Sequence, residues 1–418
     1  MSSDFQVVFN RIERYRDEMV EFLKDIIRIP AICPDFGGKG ELQKAQKIRK
    51  VVEGWGFDEI LEINAEDKRA EGGVRPNLAF LYGKEEKRVW LISHLDVVQP
   101  GDLSKWTVTK PFDPIVKDGK VYGRGAEDNG QALVSSLFAA KALIEGGENL
   151  KRSLGILLVS DEECGSKYGL EHVVSSTPEL IKSKDLVVVP DGGMKDGLFI
   201  EVAEKSILWL KIVVEGKQVH ASMPHKGFNA HRVGVQLSSN LDRILKNKYY
   251  SQDPLFDPPE STFELTMGHS SSDSPNIIPS RYEFVLDSRI LPSYRVDEIL
   301  DTVRSVINYI KEISEQEIDG EKYPKISMEV IQRSDAPDPT PSNSEVVEIL
   351  KKSIITVKGA EPRVGGIGGG TVAAILRKRG IPATVWSTID ETAHQPDEYA
   401  VIDNMVADAK VFSLLPII

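Results

Sequence analysis

Cysteine is nearly absent. Cys33 and Cys164 are the only two in 418 residues, which excludes a disulfide framework and a structural zinc site built on thiolates. Positive charge is short as well: 52 Lys and Arg stand against 64 Asp and Glu, for a net charge of −12. That balance argues against nucleic acid or an anionic membrane as the main partner. It leaves a small-molecule substrate open, because a local patch can oppose the global sign. No apolar run is long enough to span a bilayer, and the opening stretch MSSDFQVVFNRIERYRDEMVEFLKDIIRIP is interrupted by charge throughout. It therefore reads as neither a signal peptide nor a membrane span, and the cytoplasm is the simplest address. Repeats and low-complexity segments are missing too.

What is present is the composition of an ordinary globular protein, 41% hydrophobic and 28% charged, at a length that calls for two domains. Phe5, Phe9, Ile12, Tyr15, Met19, Phe22, Leu23 and Ile26 recur at helical spacing, which predicts one amphipathic helix ending before Pro30. Short apolar runs follow at Arg88 to Ile92, Leu154 to Val159, Leu186 to Val189 and Ala383 to Trp386. Their near-continuous apolar character suits strands buried on both faces. Between them the pattern changes: strand 207–214, helix 230–245, strands 261–267 and 281–286, helix 296–313, strand 326–331. That βαββαβ order predicts a ferredoxin-like α+β layer. The Pro-rich DAPDPTPSN (335–343) reads as a linker. The expected fold is α/β: a catalytic domain with a mostly parallel, mixed sheet flanked by helices, formed by residues 1–205 and 335–418. An inserted α+β lid domain spans 206–334.

Potential metal ligands cluster just after the apolar runs. His94 and Asp96 follow Ile92; Asp161, Glu162 and Glu163 follow Val159; Asp191 follows LVVVP; His394 follows Trp386; and Asp128 lies in GRGAEDNG before a helical run from Ala132 to Ile144. Sites in open parallel sheets form beyond the carboxyl ends of strands, so these residues are expected in one crevice. Imidazole and carboxylate donors suit Zn²⁺ where thiolates are lacking. Asp128, Glu163, Asp191 and a bridging hydroxide would neutralise two divalent ions. Two such ions roughly 3.5–4 Å apart can share a carboxylate and a water, lowering that water's pKa. Asp96, two residues from His94, would share its face on a strand and take the ring N–H.

Together, SHLDVV (93–98), GRGAED (123–128), DEECGS (161–166), PDGG (190–193) and TAHQPDEY (392–399) resemble the metal-site signatures of one family. Its members include acetylornithine deacetylase, succinyl-diaminopimelate desuccinylase, glutamate-type carboxypeptidases and related dipeptidases. The resemblance runs from about residue 10 to the end, with the motifs in order. It implies one zinc on His94, Asp128 and Asp191 and a second on Asp128, Glu163 and His394, with Co²⁺ or Mn²⁺ as substitutes and Glu162 as general base. Two departures stand out: Asn129–Gly130 replaces the usual Met-Lys-Gly, and Gln99 replaces a proline. Both are expected to bear on substrate preference more than on metal binding.

GKQVHASMPHKGFNAH (216–231), PNIIP (275–279) and DSR (287–289) resemble the same family's lid motifs. The resemblance implies that His220 polarises the scissile carbonyl, that Asn276 and Arg289 hold a substrate carboxylate, and that a homodimer forms through the lid. An Arg fork suits a carboxylate. The GGIGGGT loop (365–371), with Gly369 and Thr371, would offer backbone N–H groups to an anion ahead of a helix from Val372 to Arg379. Plainer readings stand beside these. His220 is equally a structural histidine, Asn276 a turn residue, Arg289 the partner of a lid carboxylate, Glu127 an outer or solvent acid, and Cys164 a small buried thiol. The implied function is metal-dependent hydrolysis of an amide in an N-acyl amino acid. The alternatives are a carboxypeptidase or dipeptidase acting on short peptides with a free carboxylate, or a non-catalytic metal-binding homologue. The glycine loop does not fit G-x-G-x-x-G, which disfavours a dehydrogenase.

Overall fold

The computed structural model describes residues 3–418. The chain divides into two compact units: Met1–Val202 with Thr340–Gly365 and Thr371–Ile418, and Ala203–Pro339 with Gly366–Gly370. Among the described residues no helix is long and apolar enough to cross a membrane.

The first unit is built on an eight-stranded mixed sheet. Its order is Glu59–Glu62, Leu78–Tyr82, Ser153–Val159, Arg88–His94, Leu186–Met194, Ala383–Thr388, Phe199–Glu204, Arg363–Ile367. The four central neighbours from Ser153–Val159 to Ala383–Thr388 run parallel, while the Leu78–Tyr82 and Phe199–Glu204 strands flank them antiparallel. These central strands are the apolar runs of the sequence, and every residue of Ser153–Val159 is buried, as covering both faces with helices requires. Helix Ala132–Gly146 is apolar around nearly its whole circumference. Its buried set runs from Ala132 to Leu143 with only Lys141 missing, so it is an interior helix and not an amphipathic surface one.

The N-terminal helix differs from expectation. It is two helices, Ser3–Arg14 and Arg16–Ile27, separated at Tyr15. Tyr15 has ψ −2°, which tilts the ladder out of line while the ring packs on Phe138 at 5.8 Å and the hydroxyl bonds Glu145. Hydrophobic periodicity continues through such a break, because the burial of Ile12, Tyr15 and Met19 depends on the core rather than on unbroken hydrogen bonds.

The second unit is a four-stranded antiparallel sheet in the order Thr262–Ser270, Arg281–Ile290, Ser206–Glu215, Lys325–Ser334, with helices Ala230–Lys248 and Val296–Ile313. The chain order βαββαβ with this strand order is the ferredoxin-like layer. Leu208, Leu210, Ile212 and Val214 alternate inward on one strand and Phe284, Leu286 and Ile290 on its neighbour, the period-two pattern of a sheet covered on one face. The glycine-rich segment is less of a loop than its composition suggests. Residues through Ile367 form a strand, and the helix that follows is short, Ala373–Arg377.

Candidate metal centre

The four parallel central strands deliver their chemistry at one end. His94 closes its strand level with Val159 of the neighbour, and the chain beyond Val159 turns sharply. Asp161 adopts φ 66°, a left-handed conformation that non-glycine residues rarely take. Its carboxylate accepts from Tyr168 N at 2.9 Å and lies 3.2 Å from the buried Arg75 guanidinium, which also grips Glu41 at 2.7 and 2.5 Å. That turn starts the short Glu162–Cys164 helical turn and sends the adjacent glutamates to different partners. Glu162 groups with His94 and Asp191, and Glu163 with His94 and Asp128, the donor atoms of each trio lying within 4.8 Å of one another.

Asp191 lies inside its strand, not after it. The strand extends to Met194, and the register against Ala383–Thr388 shifts between Val385 and Ser387. Such an irregularity re-aims a side chain. Gly193 is required here, because a Cβ would stand 1.9 Å from Ser387 O. Asp128 comes from the turn after Gly125, whose φ of 79° suits glycine. Its Oδ1 lies 2.8 Å from His94 Nε2 and its Oδ2 3.0 Å from His394 Nε2, which is also 3.1 Å from Glu163 Oε1. Asp191 Oδ1 is 3.4 Å from His94 Nε2. One carboxylate thus touches both imidazoles.

Asp96 does something other than expected. It lies past the end of the strand, and the His94 Nδ1 hydrogen bond goes to its backbone carbonyl at 3.0 Å, with the nearest carboxylate oxygen at 3.5 Å. The carboxylate is occupied by the amides of Glu162 and Glu163, each at 3.0 Å. Asp96 therefore holds the turn that carries the two glutamates. Asn129 also departs from its expected role: its side-chain amide donates to Asp191 Oδ1 and Pro190 O, both at 2.8 Å, so it orients a candidate ligand. Gln99 donates to Phe36 O.

Electrostatics mark the crevice as a place for cations. Burial, then the nearby negative charge of Asp191, pushes Glu162 well above the usual carboxylate range. Burial raises Glu163 and Asp191 too. Burial alone would favour a neutral His94, but the surrounding carboxylates, Asp191 first, drive it well upward. His394 is raised to about 10 by its bonds to Asp128 and then Glu163. Four carboxylates and two imidazoles gathered this closely repel and strand protons unless positive charge lies among them. The donor set of carboxylates and imidazoles fits divalent cations.

The two cysteines are not free thiols. Cys33 and Cys164 form a disulfide across 131 residues of sequence. Ile32 bridges to Val97, which brings Cys33 beside the Asp96 turn and hence beside the residues that turn holds. Neither cysteine's neighbours in sequence announce this. A bond closing so long a loop constrains the unfolded chain strongly. Replacing both cysteines by serine is expected to lower unfolding stability by about 2–4 kcal/mol, read as a lower denaturant midpoint at unchanged slope.

The remaining candidates belong to the second unit, Thr371 excepted. His220 pairs with Ile277 in a two-stranded ladder, and its Nδ1 accepts from Ser222 N at 3.2 Å. Asn276 Oδ1 accepts from Ser274 Oγ at 2.6 Å. Arg289 is held by Asp287 at 2.8 and 3.1 Å and donates to Gly368 O at 2.8 Å, so the lid-carboxylate reading describes its contacts. Gly369 falls in this unit, while Thr371 accepts from Ala373 N at 3.3 Å at the start of the short helix. Two residues escaped the sequence reading: Lys44, buried with Nζ on Leu95 O at 2.8 Å and pushed down to about 8 by burial, and Glu398; Glu127 is the outer acid of the two readings given for it, not the solvent one. The DE of TAHQPDEY was in view for Glu398, but nothing in a linear string tells a buried acid from a solvated one.

Residues 90–416 match the model of the peptidase family M20/M25/M40. The chain belongs to that family. It is 40% identical over 411 residues to an uncharacterized metallohydrolase of Methanocaldococcus jannaschii, covering 95% of this chain and 98% of that one. It is 28% identical over 395 residues to a succinyl-diaminopimelate desuccinylase of Gluconacetobacter diazotrophicus, covering 93% and 94%. Among solved structures, an aminopeptidase PepT from Bacillus cereus superposes with a TM-score of 0.72 at 16% identity, covering 96% and 98%. The protein is thus a metal-dependent hydrolase of the M20 family, of peptidase or desuccinylase type.

Proposed function

We propose that the chain removes an acyl group from an N-acyl amino acid, in the manner of a deacetylase or desuccinylase, at two Zn²⁺ ions that Co²⁺ or Mn²⁺ can replace. The observation that carries this reading is the convergence of His94, Asp128, Glu162, Glu163, Asp191 and His394 at one end of the sheet, from its strands and the loops beside them, with Asp128 touching both imidazoles. His94, Asp128 and Asp191 would hold one ion, and Asp128, Glu163 and His394 the other. When bound, such a pair polarises the scissile carbonyl and makes the attacking water more acidic. Glu162 takes the proton from that water as it adds to the acyl carbon and passes it to the nitrogen as the C–N bond breaks. Asp96 fixes the turn carrying Glu162, and Asn129 fixes Asp191. The substrate roles assigned to His220, Asn276, Arg289, Gly369 and Thr371 rest on the family resemblance alone.

The name of the desuccinylase relative, similar over nearly the whole chain, supports the choice of an acyl amino acid over a peptide for this chain. A panel of N-succinyl, N-acetyl and dipeptide substrates, run with added Zn²⁺ or Co²⁺, tests the choice. Turnover of the acyl amino acids above the dipeptides is expected; the reverse order makes the enzyme a carboxypeptidase or dipeptidase, and inactivity towards all three removes this reading. The reading also includes a cytoplasmic enzyme that pairs through its lid unit. Strand Thr262–Ser270 is a sheet edge with Leu265 and Met267 exposed, the kind of edge that accepts another strand. Light scattering should give twice the chain mass; a monomer at micromolar concentration removes the dimer.

A further inference from the structure

Three of the candidate ligands hang on loops instead of strands, and each loop is fastened through its backbone by a buried carboxylate. Asp96 does this for Glu163. The other two loops fasten each other. Glu127, next to Asp128, accepts from Asp390 N at 2.6 Å, Thr392 Oγ1 at 3.0 Å, Ala393 N at 3.0 Å and Thr392 N, all on the loop that carries His394. Glu398, on the far side of His394, accepts from Arg124 Nη1 at 2.6 Å, Gly125 N at 3.0 Å, Glu127 N at 3.0 Å and Asp128 N at 3.1 Å, all on the loop that carries Asp128. Glu127 is 5% exposed and Glu398 0%. Neither carboxylate belongs to the candidate metal-binding trios.

We infer that Glu127 and Glu398 are a reciprocal pair of positioning residues that set the separation between Asp128 and His394, and so the geometry of the metal site those two share. The inference rests on the metal-centre reading above. A carboxylate that accepts several backbone N–H groups fixes the loop's dihedral angles more firmly than packing does, because each amide must keep its direction. His394 needs such help: its side chain is 54% exposed, and its φ of 63° lies in a region disfavoured for residues with a Cβ. Left to itself the loop would relax away from Asp128. His94 and Asp191, by contrast, stand on strands of the sheet.

Glu127→Gln, Glu398→Gln and the double variant test the pair in the full-length chain. Zn²⁺ and Co²⁺ dissociation constants are measured against a competing chelator, together with the visible spectrum of the Co²⁺-loaded protein and the melting temperature of the metal-free protein. Each single variant is expected to weaken the weaker-bound ion by about 10–100-fold, the range for losing an outer partner, and to alter the Co²⁺ spectrum. The double variant is expected to lose no more than about the larger single loss, because breaking either half frees the same two loops. Should Glu398→Gln fail to fold with Arg124 unpaired, Glu398→Asp replaces it, keeping the charge while retracting from the amides, with the same direction expected. Metal affinity within twofold of the parent overturns the inference, as do losses that multiply in the double variant. A parent chain that takes up no ion sinks the metal-centre reading itself, and is distinguished by being read before any variant.

Discussion

Glu162→Gln is expected to lower kcat by about 10²–10⁴-fold, the usual worth of a positioned proton carrier, while KM and metal content stay near those of the parent. The amide side chain matches the carboxylate in shape, and the Glu162 backbone N–H stays bonded to Asp96, so the turn keeps its form. What is lost is the ability to take a proton from water and return it to the leaving amine. Metal analysis beside kinetics separates this from the competing role. Glu162 lies in a trio with His94 and Asp191; if the variant loses an ion along with activity, Glu162 is a ligand, and if turnover is unchanged it is no base.

Asp128→Ala is expected to remove both ions and all measurable activity. Its two oxygens reach the two imidazoles separately, at 2.8 and 3.0 Å, so this one side chain serves both halves of the centre. The affinity loss should exceed the roughly 10–100-fold typical of an outer partner. Asp191→Ala, which touches only the His94 half, should weaken one ion and spare the other. Titration with a chromophoric chelator reads both. Retention of two tightly bound ions by Asp128→Ala would show that the carboxylate does not bridge.

Legibility followed the physics of each feature. The buried strands were readable because a parallel sheet covered on both faces demands unbroken apolar runs, and the ferredoxin-like unit because alternating and helical periods follow one another in a recognisable order. The candidate ligands were readable because sites collect beyond strand ends and five motifs occur together. The break at Tyr15 was not readable, since burial keeps its period through a change in ψ. The Cys33–Cys164 bond was not readable either: two cysteines 131 residues apart carry no mutual signal until the Ile32–Val97 bridge brings their loops together.

The sequence by itself determined which apolar runs form the buried strands and which polar side chains lie near their ends, because hydrophobic pattern is a local property; where each strand stops was not among these, as Asp191 shows. Only the tertiary structure decided what the buried acids do. Asp96, Glu127 and Glu398 look like neighbours of ligands in the linear chain, yet each spends its carboxylate on the backbone of a segment 66 or more residues away. A carboxylate can be solvated, paired, protonated or bound to amides with equal ease in a string of letters. Desolvation makes the choice, and desolvation exists only once the chain has folded around it.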